Sequence, residues 1–236
     1  MGIILSDNCY LRDKCWKFQK NPTAECKFSN VYCPKLFRMD YLFNEALLTQ
    51  KQRFYIPLRI DEDGTDREEF KQLQLIEQNI EQFVDNGANL YLHSMGSGCG
   101  KTSWALRLIQ DYLEKIWHKS DLTCRALFIN VPRFLQSLKD SISNTNDYAD
   151  HIRKNILKAD LVVFDEIATG GVSKFEYENL LSIINTRIEE GKSNIYTSNL
   201  NGEQLNDILG ERLYSRIVNL STDIELHGSD KRSIYS

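Results

Sequence analysis

The chain lacks the long apolar stretches that mark membrane and exported proteins. Its apolar runs have the length of strands, well short of the roughly 18 residues of a membrane-spanning helix. No charged segment followed by an apolar core marks a secretory signal. Internal repeats and low-complexity tracts are also missing, and the composition does not suggest disorder of the whole chain. We therefore expect a globular cytoplasmic protein with no membrane partner.

The chain also has little net charge. Its 29 Lys and Arg residues nearly balance 33 Asp and Glu residues, for a formal net charge of -4. A broad basic field is therefore excluded, and any contact with nucleic acid must be local. The segment 9–38 is a local exception, with seven basic and two acidic residues. With 42% hydrophobic residues, a chain of 236 can bury one sizeable α/β core and carry a small accessory module.

Cysteines are sparse beyond the first 33 residues. Only Cys99 and Cys124 lie there, whereas the start of the chain contains Cys9, Cys15, Cys26 and Cys33. A disulfide framework is not expected in a reducing compartment, so the four clustered cysteines favour a tetrahedral Zn²⁺ site. Their spacing, C-x5-C-x10-C-x6-C, lacks the close C-x2-C pairs of common zinc ribbons. Buried or exposed free thiols therefore remain the alternative to zinc.

The strongest motif is a glycine-rich loop between a predicted strand and a predicted helix. Residues 89–93 (NLYLH) suit a buried strand, and apolar residues within 104–117 recur at helical spacing. In such a loop, backbone N–H groups bind phosphate oxygens at the start of the helix. Lys101 is predicted to contact the β- and γ-phosphates of ATP, and the Thr102 hydroxyl to bind Mg²⁺. The predicted nucleotide-binding residues are Gly96, Ser97, Gly98, Cys99, Gly100, Lys101, Thr102 and Ser103.

The loop departs from the usual P-loop pattern at one position. The pattern G-x-x-x-x-G-K-[ST] has its first glycine where this chain has Met95, next to Gly96. We interpret this difference as a one-residue variation in the turn. A glycine-rich turn with a chance Lys-Thr pair is the alternative.

A second motif is an apolar strand that ends in two carboxylates. Within residues 160–167 (DLVVFDEI), Asp165 is predicted to hold the Mg²⁺ shell and Glu166 to polarise the attacking water. Residues 194–198 (NIYTS) predict another strand, followed by Asn199, which is placed to orient the water or the γ-phosphate. Taken singly, these residues are more often solvated strand ends or turn residues. Their combination with the loop indicates an ATP site.

The chain divides into two predicted units, 1–65 and 66–236. The first contains the cysteines, a helix within 36–48 and an extended connector, and Asp66 is predicted to cap a helix over 67–84. Further strands and helices alternate along the second unit, which indicates an α/β fold with a parallel sheet. The predicted strands are 89–93, 125–131, 161–164 and 194–198, and the helices between them are 104–117, 132–142, 148–158 and 174–190. The segment after Asn199 is too short for a full helical lid.

Three segments together resemble the bacterial and phage replicative helicase loaders of the DnaC/DnaI type, which are AAA+ ATPases. They are 162–178 (VVFDEIATGGVSKFEYE), 196–200 (YTSNL) and 209–217 (LGERLYSRI). The resemblance covers residues 66–236 and implies an AAA+ P-loop ATPase that self-assembles with ATP and Mg²⁺ and hydrolyses ATP at subunit interfaces. It also implies that the N-terminal unit binds a DnaB-type replicative helicase. The loader then delivers this helicase to single-stranded DNA in the cytoplasm of a bacterial host.

The resemblance assigns roles to individual residues. The catalytic set that it implies is Lys101, Asp165, Glu166, Asn199, Arg216 and Arg232, with Thr102 and Asp165 as Mg²⁺ ligands. Arg216 matches an arginine finger that completes a neighbouring subunit's site, and Arg232 matches a late sensor arginine. Ser173 and Phe175 match positions that contact single-stranded DNA, where Phe175 is expected to stack on a base. A buried core position is the alternative for Phe175.

Two other functions remain open. An IstB-type ATPase shares the core motifs but assists transposition on double-stranded DNA, and the basic N-terminal unit speaks mildly against it. A small-molecule P-loop kinase needs a lid with several arginines and a substrate pocket. Asn199, Arg216 and the short C-terminal segment favour the assembly ATPase over the kinase.

Overall fold

The computed structural model describes residues 9, 11–12, 15, 19–20, 33–54, 56, 58–60, 64–141, 145–168 and 172–230. Its helices are α1 (Pro34–Glu45), α2 (Arg67–Gln78), α3 (Ile80–Asp85), α4 (Lys101–Ile116), α5 (Val131–Asp140), α6 (Asp147–Asn155), α7 (Lys174–Glu189) and α8 (Gly202–Tyr214). Its strands are β1 (Asn89–His93), β2 (Ala126–Asn130), β3 (Leu161–Asp165), β4 (Ser193–Ser198) and β5 (Thr222–Glu225). Within these residues, no helix is long and apolar enough to span a membrane.

The strands form one sheet in the order β2-β3-β4-β1-β5, and each neighbouring pair is parallel. Parallel strands require crossover connections, and helices α4 to α8 supply them. Asn130 of β2 pairs with Asp165 of β3, and His93 of β1 pairs with Ser198 of β4. The carboxyl ends of these strands therefore meet at one edge, where open α/β sheets bind their ligands.

Helices cover both faces of the sheet. Successive side chains of a strand point to opposite faces, so Leu90 and Leu92 pack with helices α1 to α4, whereas Tyr91 packs with helices α5 to α8. Every residue of β1 and β3 is buried, as expected for parallel strands covered on both sides. Full burial of one large apolar side chain contributes about 1.5–3 kcal/mol. The continuous apolar runs in the sequence are explained by this two-sided cover.

The helices follow the predicted order, but the predicted helix over 67–84 is broken in two, and its predicted cap has a different role. The predicted helix over 67–84 is interrupted at Asn79, which has φ -108° and ψ 23° and separates α2 from α3. The predicted capping role of Asp66 was wrong, because its side chain makes no capping hydrogen bond to α2. Its carboxylate instead accepts hydrogen bonds from the backbone N–H groups of His227 and Gly228, both at 2.7 Å. Asp66 thus ties the start of α2 to the C-terminal segment.

The end of α1 lies against the edge strand β2. The backbone N–H of Phe128 donates to the carbonyl oxygen of Ala46 at 2.9 Å, just beyond the helix. A buried ion pair between Arg53 and Asp40 fixes the chain that leaves α1. The apolar side chains of α1 also share a core with those of α4. The last helix before the connector therefore packs on the α/β core, and the predicted boundary at residue 65 stays a prediction.

The N-terminal cysteines fall partly within the described residues. Cys9, Cys15 and Cys33 are half-buried. Their sulfur atoms are not part of any group of metal-ligating side chains found among the described residues. Cys26 lies outside the described residues. The zinc site at these four cysteines therefore stays a prediction.

The segment after Asn199 contains more regular structure than predicted. Helix α8 is kinked at Gly210, where φ is 73° and ψ is 162°, and a π-helical turn follows at Ser215–Asn219. Strand β5 then pairs with β1 at the edge of the sheet. Its sequence, TDIE, contains one buried apolar residue, Ile224, among three polar ones, so the apolar run that identified the other strands is missing. No helical domain follows β5 within the described residues.

Candidate nucleotide-binding site

The glycine-rich loop runs from the end of β1 to the start of α4. Gly98 has φ 78° and Gly100 has φ 105°, in the left-handed region that residues with a Cβ rarely adopt. Met95 and Gly96 are not among the described residues with positive φ. The turn therefore does not require glycine at position 95, and the Met95 side chain extends outwards with 60% exposure. The departure from the P-loop pattern is explained by this backbone geometry.

Lys101 points back into the loop from the first turn of α4. Its buried Nζ donates to the carbonyl oxygen of Gly96 at 2.8 Å and to that of Ser94 at 3.4 Å. The Ser94 hydroxyl accepts from the N–H of Gly96 at 3.1 Å, which stabilises the turn. The start of the 16-residue helix α4 adds the positive end of the helix dipole. An ammonium group and a helix N-terminus thus face the same small volume, as an anion site requires.

Asp165 lies between two threonine hydroxyls. Its Oδ1 accepts hydrogen bonds from Thr102 Oγ1 at 2.9 Å and from Thr197 Oγ1 at 2.7 Å. Burial raises the pKa of Asp165 and the neighbouring Glu166 adds to this rise, whereas the two hydroxyl groups oppose it. A hard divalent cation would favour the ionised carboxylate and accept oxygen ligands from Thr102 and Asp165. The pair predicted to bind Mg²⁺ is therefore brought together, with a donor set that suits this ion.

Glu166 has an unusual backbone conformation. Its φ is 60°, which costs roughly 1–2 kcal/mol for a residue with a Cβ. Two contacts hold this conformation: the N–H of Glu166 donates to Thr197 Oγ1 at 3.0 Å, and Glu166 Oε2 accepts from Asn130 Nδ2 at 2.8 Å. The Asn130 side-chain oxygen in turn accepts from the N–H of Arg133. Asn130 therefore fixes the direction of the Glu166 carboxylate.

Neither Asn130 nor Thr197 was predicted from the sequence to be a site residue. Asn130 ends β2, next to β3, so the reasoning that identified Asn199 at a strand end could also have identified Asn130. Thr197 carried no signal, because threonine inside a strand is common. Only the pairing of β3 with β4 brings its hydroxyl to the Asp165 carboxylate and the backbone N–H of Glu166.

A cavity joins the loop to Glu166 and to a wall whose residues, apart from Arg59, are apolar. Its lining includes Gly98 to Ser103, Glu166 and Asn199, together with Ile56, Leu58, Arg59 and Phe70. The loop side offers N–H groups and cations for phosphates, and the apolar side offers a surface for a flat base. Asn199 thus lies where the strand-end argument expected it. The apolar wall was missed, because its residues come from the connector and from α2.

The C-terminal segment reaches the glycine-rich loop. A Cβ placed on Gly98 would lie 1.9 Å from Asp230 Oδ1, so glycine at this position makes room for that carboxylate. The hydrogen bonds from His227 and Gly228 to Asp66 anchor the segment. A negative charge beside the loop opposes the approach of a polyanion. Arg232, which follows in the sequence, lies outside the described residues.

The other predicted site residues lie away from the cavity lining. Arg216, on the π-helical turn, donates from Nε to Asn185 Oδ1 at 2.5 Å. Ser173 caps α7, since its hydroxyl accepts from the N–H of Glu176 and its own N–H donates to the Glu176 carboxylate. Phe175 is 41% exposed, so the alternative of a core position is wrong. The structure therefore presents Phe175 to solvent and assigns Ser173 a structural contact.

The chain resembles known proteins over most of its length. The model of the family described as IstB-like ATP binding protein matches residues 61–232. The replicative helicase loader DnaC of Escherichia coli strain K12 is 27% identical over 140 residues, which are 59% of this chain and 54% of that protein. The chain thus spans about half the length of this curated relative.

Solved structures share the fold. A putative primosome component from Streptococcus pyogenes serotype M3 has a TM-score of 0.60 at 20% identity, covering 81% of this chain and 98% of that one. A DnaC helicase loader has a TM-score of 0.57 at 20% identity, covering 73% of this chain and 93% of that one. The predicted AAA+ type of parallel α/β fold and the DnaC/DnaI resemblance are confirmed. Because the family model covers well over half of its residues, this chain belongs to the IstB-like ATP binding protein family.

Proposed function

We propose that this chain is an ATPase that binds a DnaB-type replicative helicase and delivers it to single-stranded DNA. The observation that carries the proposal is the hydrogen bond between Thr102 and Asp165, which joins the glycine-rich loop to the carboxylate strand in one site. Sequence similarity to a protein named as a replicative helicase loader supports helicase loading as the function of this ATPase.

Each residue of the site would have a separate role in phosphoryl transfer. Lys101 would exchange its carbonyl partners for phosphate oxygens, and Thr102 and Asp165 would hold Mg²⁺, which neutralises the charge that develops on the phosphates. Glu166 would polarise the attacking water, with its carboxylate oriented by Asn130. Asn199, in the cavity lining, would contact the water or the γ-phosphate. The Lys101→Ala variant should therefore lose ATP binding, and tight binding by this variant would contradict the site.

A second subunit would complete the site. Arg216 does not belong to the described lining of its own cavity, and an arginine supplied by a neighbour can stabilise the transferring phosphoryl group. We infer that the chain self-assembles with ATP so that Arg216 enters the next subunit's site. Arg232 lies outside the described residues, and the family resemblance alone gives it the role of a late sensor arginine.

Mixed variants test the shared site. Arg216→Ala and Glu166→Gln should each bind ATP and each lose hydrolysis, by about a thousandfold or more for the arginine. In a mixture, some interfaces combine an intact Glu166 with an intact Arg216, so hydrolysis should partly recover. Arg212→Ala, which removes an exposed arginine of α8, is the matched control and should remain active. Absence of recovery in the mixture would count against a shared site.

Helicase capture tests the biological task. The full chain, with ATP, should retain a DnaB-type helicase from its own source organism and transfer it to a single-stranded DNA circle. The family description also includes IstB-like proteins, so assistance to transposition is the second candidate. Association with double-stranded DNA and a transposase, without helicase capture, would select that second candidate.

A further inference from the structure

Three potential metal ligands from separate parts of the chain converge beside the edge of the sheet. They are the carboxylate of Glu45 at the end of α1, the thiol of Cys124 just before β2, and the imidazole of His151 in α6. Their ligand atoms all lie within 4.8 Å of one another. Within the part of the chain that the structure describes, this is the one group of three or more such side chains. It is separate from the nucleotide cavity, whose lining includes none of them.

The distances within the group are close to those that a bound cation needs. His151 Nε2 lies 4.0 Å from the nearer carboxylate oxygen of Glu45. Around a tetrahedral zinc ion, bond lengths of about 2.0–2.3 Å place neighbouring ligand atoms roughly 3.3–3.8 Å apart. Closure onto an ion therefore needs side-chain movements of about 1 Å or less, estimated from those bond lengths. Torsions of the Glu45 and His151 side chains can supply this movement, because both side chains are partly exposed.

The chemistry of the three donors favours zinc over magnesium or calcium. A sulfur and an imidazole nitrogen are poor ligands for hard cations, whereas zinc binds sulfur, nitrogen and carboxylate oxygen together. Three protein ligands leave one tetrahedral position for a water molecule. The Glu45 and His151 side chains are 28% and 25% exposed, so water and metal can reach the group from one side.

The Cys124 thiol is buried against two backbone carbonyl oxygens. Cys124 is 7% exposed, and its Sγ lies 3.5 Å from the carbonyl oxygen of Glu45 and 3.4 Å from that of Ala126. Burial raises the pKa of this thiol to about 12, and the negative Glu45 acts in the same direction. His151 Nε2 meanwhile lies 2.8 Å from the Glu45 carbonyl oxygen. Metal binding would release the thiol proton and turn the imidazole from this carbonyl towards the ion.

We propose that Glu45, Cys124 and His151 bind a zinc ion that fastens the end of α1 to the edge of the ATPase sheet. The neighbouring hydrogen bond from Phe128 to Ala46 already joins these two elements. The ion would add a third element, α6, to the same junction. This site is distinct from the zinc predicted at the N-terminal cysteines, and it does not depend on the proposed helicase-loading function.

The experiment measures zinc in a full-length chain whose N-terminal cysteines cannot contribute. Cys9, Cys15, Cys26 and Cys33 are all changed to serine, and the protein is purified, exposed to zinc sulfate, desalted and analysed by mass spectrometry for metal content. This chain should retain a single zinc ion. Cobalt added in place of zinc should produce the absorption band of a cobalt–thiolate bond.

Two further changes identify the ligands in that background. Cys124→Ser keeps a hydroxyl that can donate to the same carbonyls, and His151→Gln keeps a side-chain donor, so both should fold while losing the zinc and the cobalt band. His118→Gln, at an exposed histidine in the turn after α4, is the matched control and should retain both. If the four-serine chain does not fold, His151→Gln and His118→Gln are compared in a chain that keeps its N-terminal cysteines. His151→Gln should then contain one zinc ion fewer than His118→Gln. Equal zinc content in these two variants, or a folded four-serine chain without zinc, overturns the proposal and leaves a hydrogen-bonded cluster.

Discussion

Replacement of Thr197 by valine tests whether one buried hydroxyl organises the carboxylates at the end of β3. Thr197 is 1% exposed, donates to Asp165 at 2.7 Å and accepts from the N–H of Glu166 at 3.0 Å. Valine has nearly the same shape but can do neither. A hydrogen bond to a charged group contributes about 1.5–3 kcal/mol and a neutral one about 1 kcal/mol. Since the hydroxyl no longer has to be desolvated, we expect a net loss of about 2–3 kcal/mol in the free energy of unfolding.

The same change should impair hydrolysis beyond its effect on stability. Without the Thr197 donor, the pKa of Asp165, already raised by burial, rises further, so more Mg²⁺ is needed to saturate the site. Glu166 loses a contact that holds its φ of 60°. A displacement of catalytic groups by about 1 Å can cost about a hundredfold in rate. We therefore expect kcat for ATP hydrolysis to fall by about ten- to a hundredfold at saturating Mg²⁺.

Two control variants separate the effect of losing the Thr197 hydroxyl from other effects of the substitution. Thr197→Ser keeps the donor and the acceptor and should remain close to the unaltered protein in both measurements. Thr222→Val makes the same chemical change at an exposed position of β5 and should leave both values unchanged. Urea unfolding gives the stability and steady-state ATP hydrolysis gives kcat. Equal stability and equal kcat for the valine and serine variants at position 197 would refute the reasoning.

Three further changes probe other parts of the molecule. Asp230→Asn removes a negative charge beside the glycine-rich loop and should tighten ATP binding about fivefold, since this corresponds to roughly 1 kcal/mol of repulsion; unchanged affinity in equilibrium titrations would contradict the contact. Asp160→Asn should cost about 1–2 kcal/mol in urea unfolding at pH 7, because Asp160 accepts from Lys192 and Arg125. Burial opposes ionisation of Asp160, but these two cations lower its pKa overall. The difference in stability between the two proteins should therefore persist above the ordinary aspartate pKa of about 3.9 and vanish as the pH falls through the lower pKa that Asp160 has in the folded protein. A stability difference that does not depend on pH would be inconsistent with the ion pairs. Phe175→Ala should weaken single-stranded DNA binding about tenfold while ATP hydrolysis without DNA is unchanged; equal DNA affinity in fluorescence anisotropy would remove Phe175 from the DNA surface.

The strands and the loop were predictable because their signals are local. β1 and β3 are covered on both faces, so each appears in the sequence as a continuous apolar run. Lys101 and Thr102 could be identified because closely spaced glycines precede them and a predicted helix follows them. The position of Asn199 could be inferred because parallel strands end at a common edge.

Features that depend on contacts between distant residues were not predictable in this way. Asp66 has the sequence context of a helix cap, but residues 227 and 228 supply its hydrogen-bond donors. Strand β5 is recognisable only by its pairing with β1, because four residues with a single apolar side chain show no apolar pattern. The roles of Asn130 and Thr197 follow from the order of the strands in the sheet.

The sequence by itself determined the class of the fold and the chemistry at the centre of the site. Short-range order of glycines, a lysine and strand-end carboxylates was sufficient, because backbone conformation and strand direction place these groups. The tertiary structure decided which other side chains surround them: the Thr197 hydroxyl, the Asn130 amide, the apolar wall and the Asp230 carboxylate. It also brought Glu45, Cys124 and His151 together. The hydrogen bonds among these groups join residues from 31 to more than 100 positions apart. The order of the strands and the packing of helices on the sheet make them neighbours.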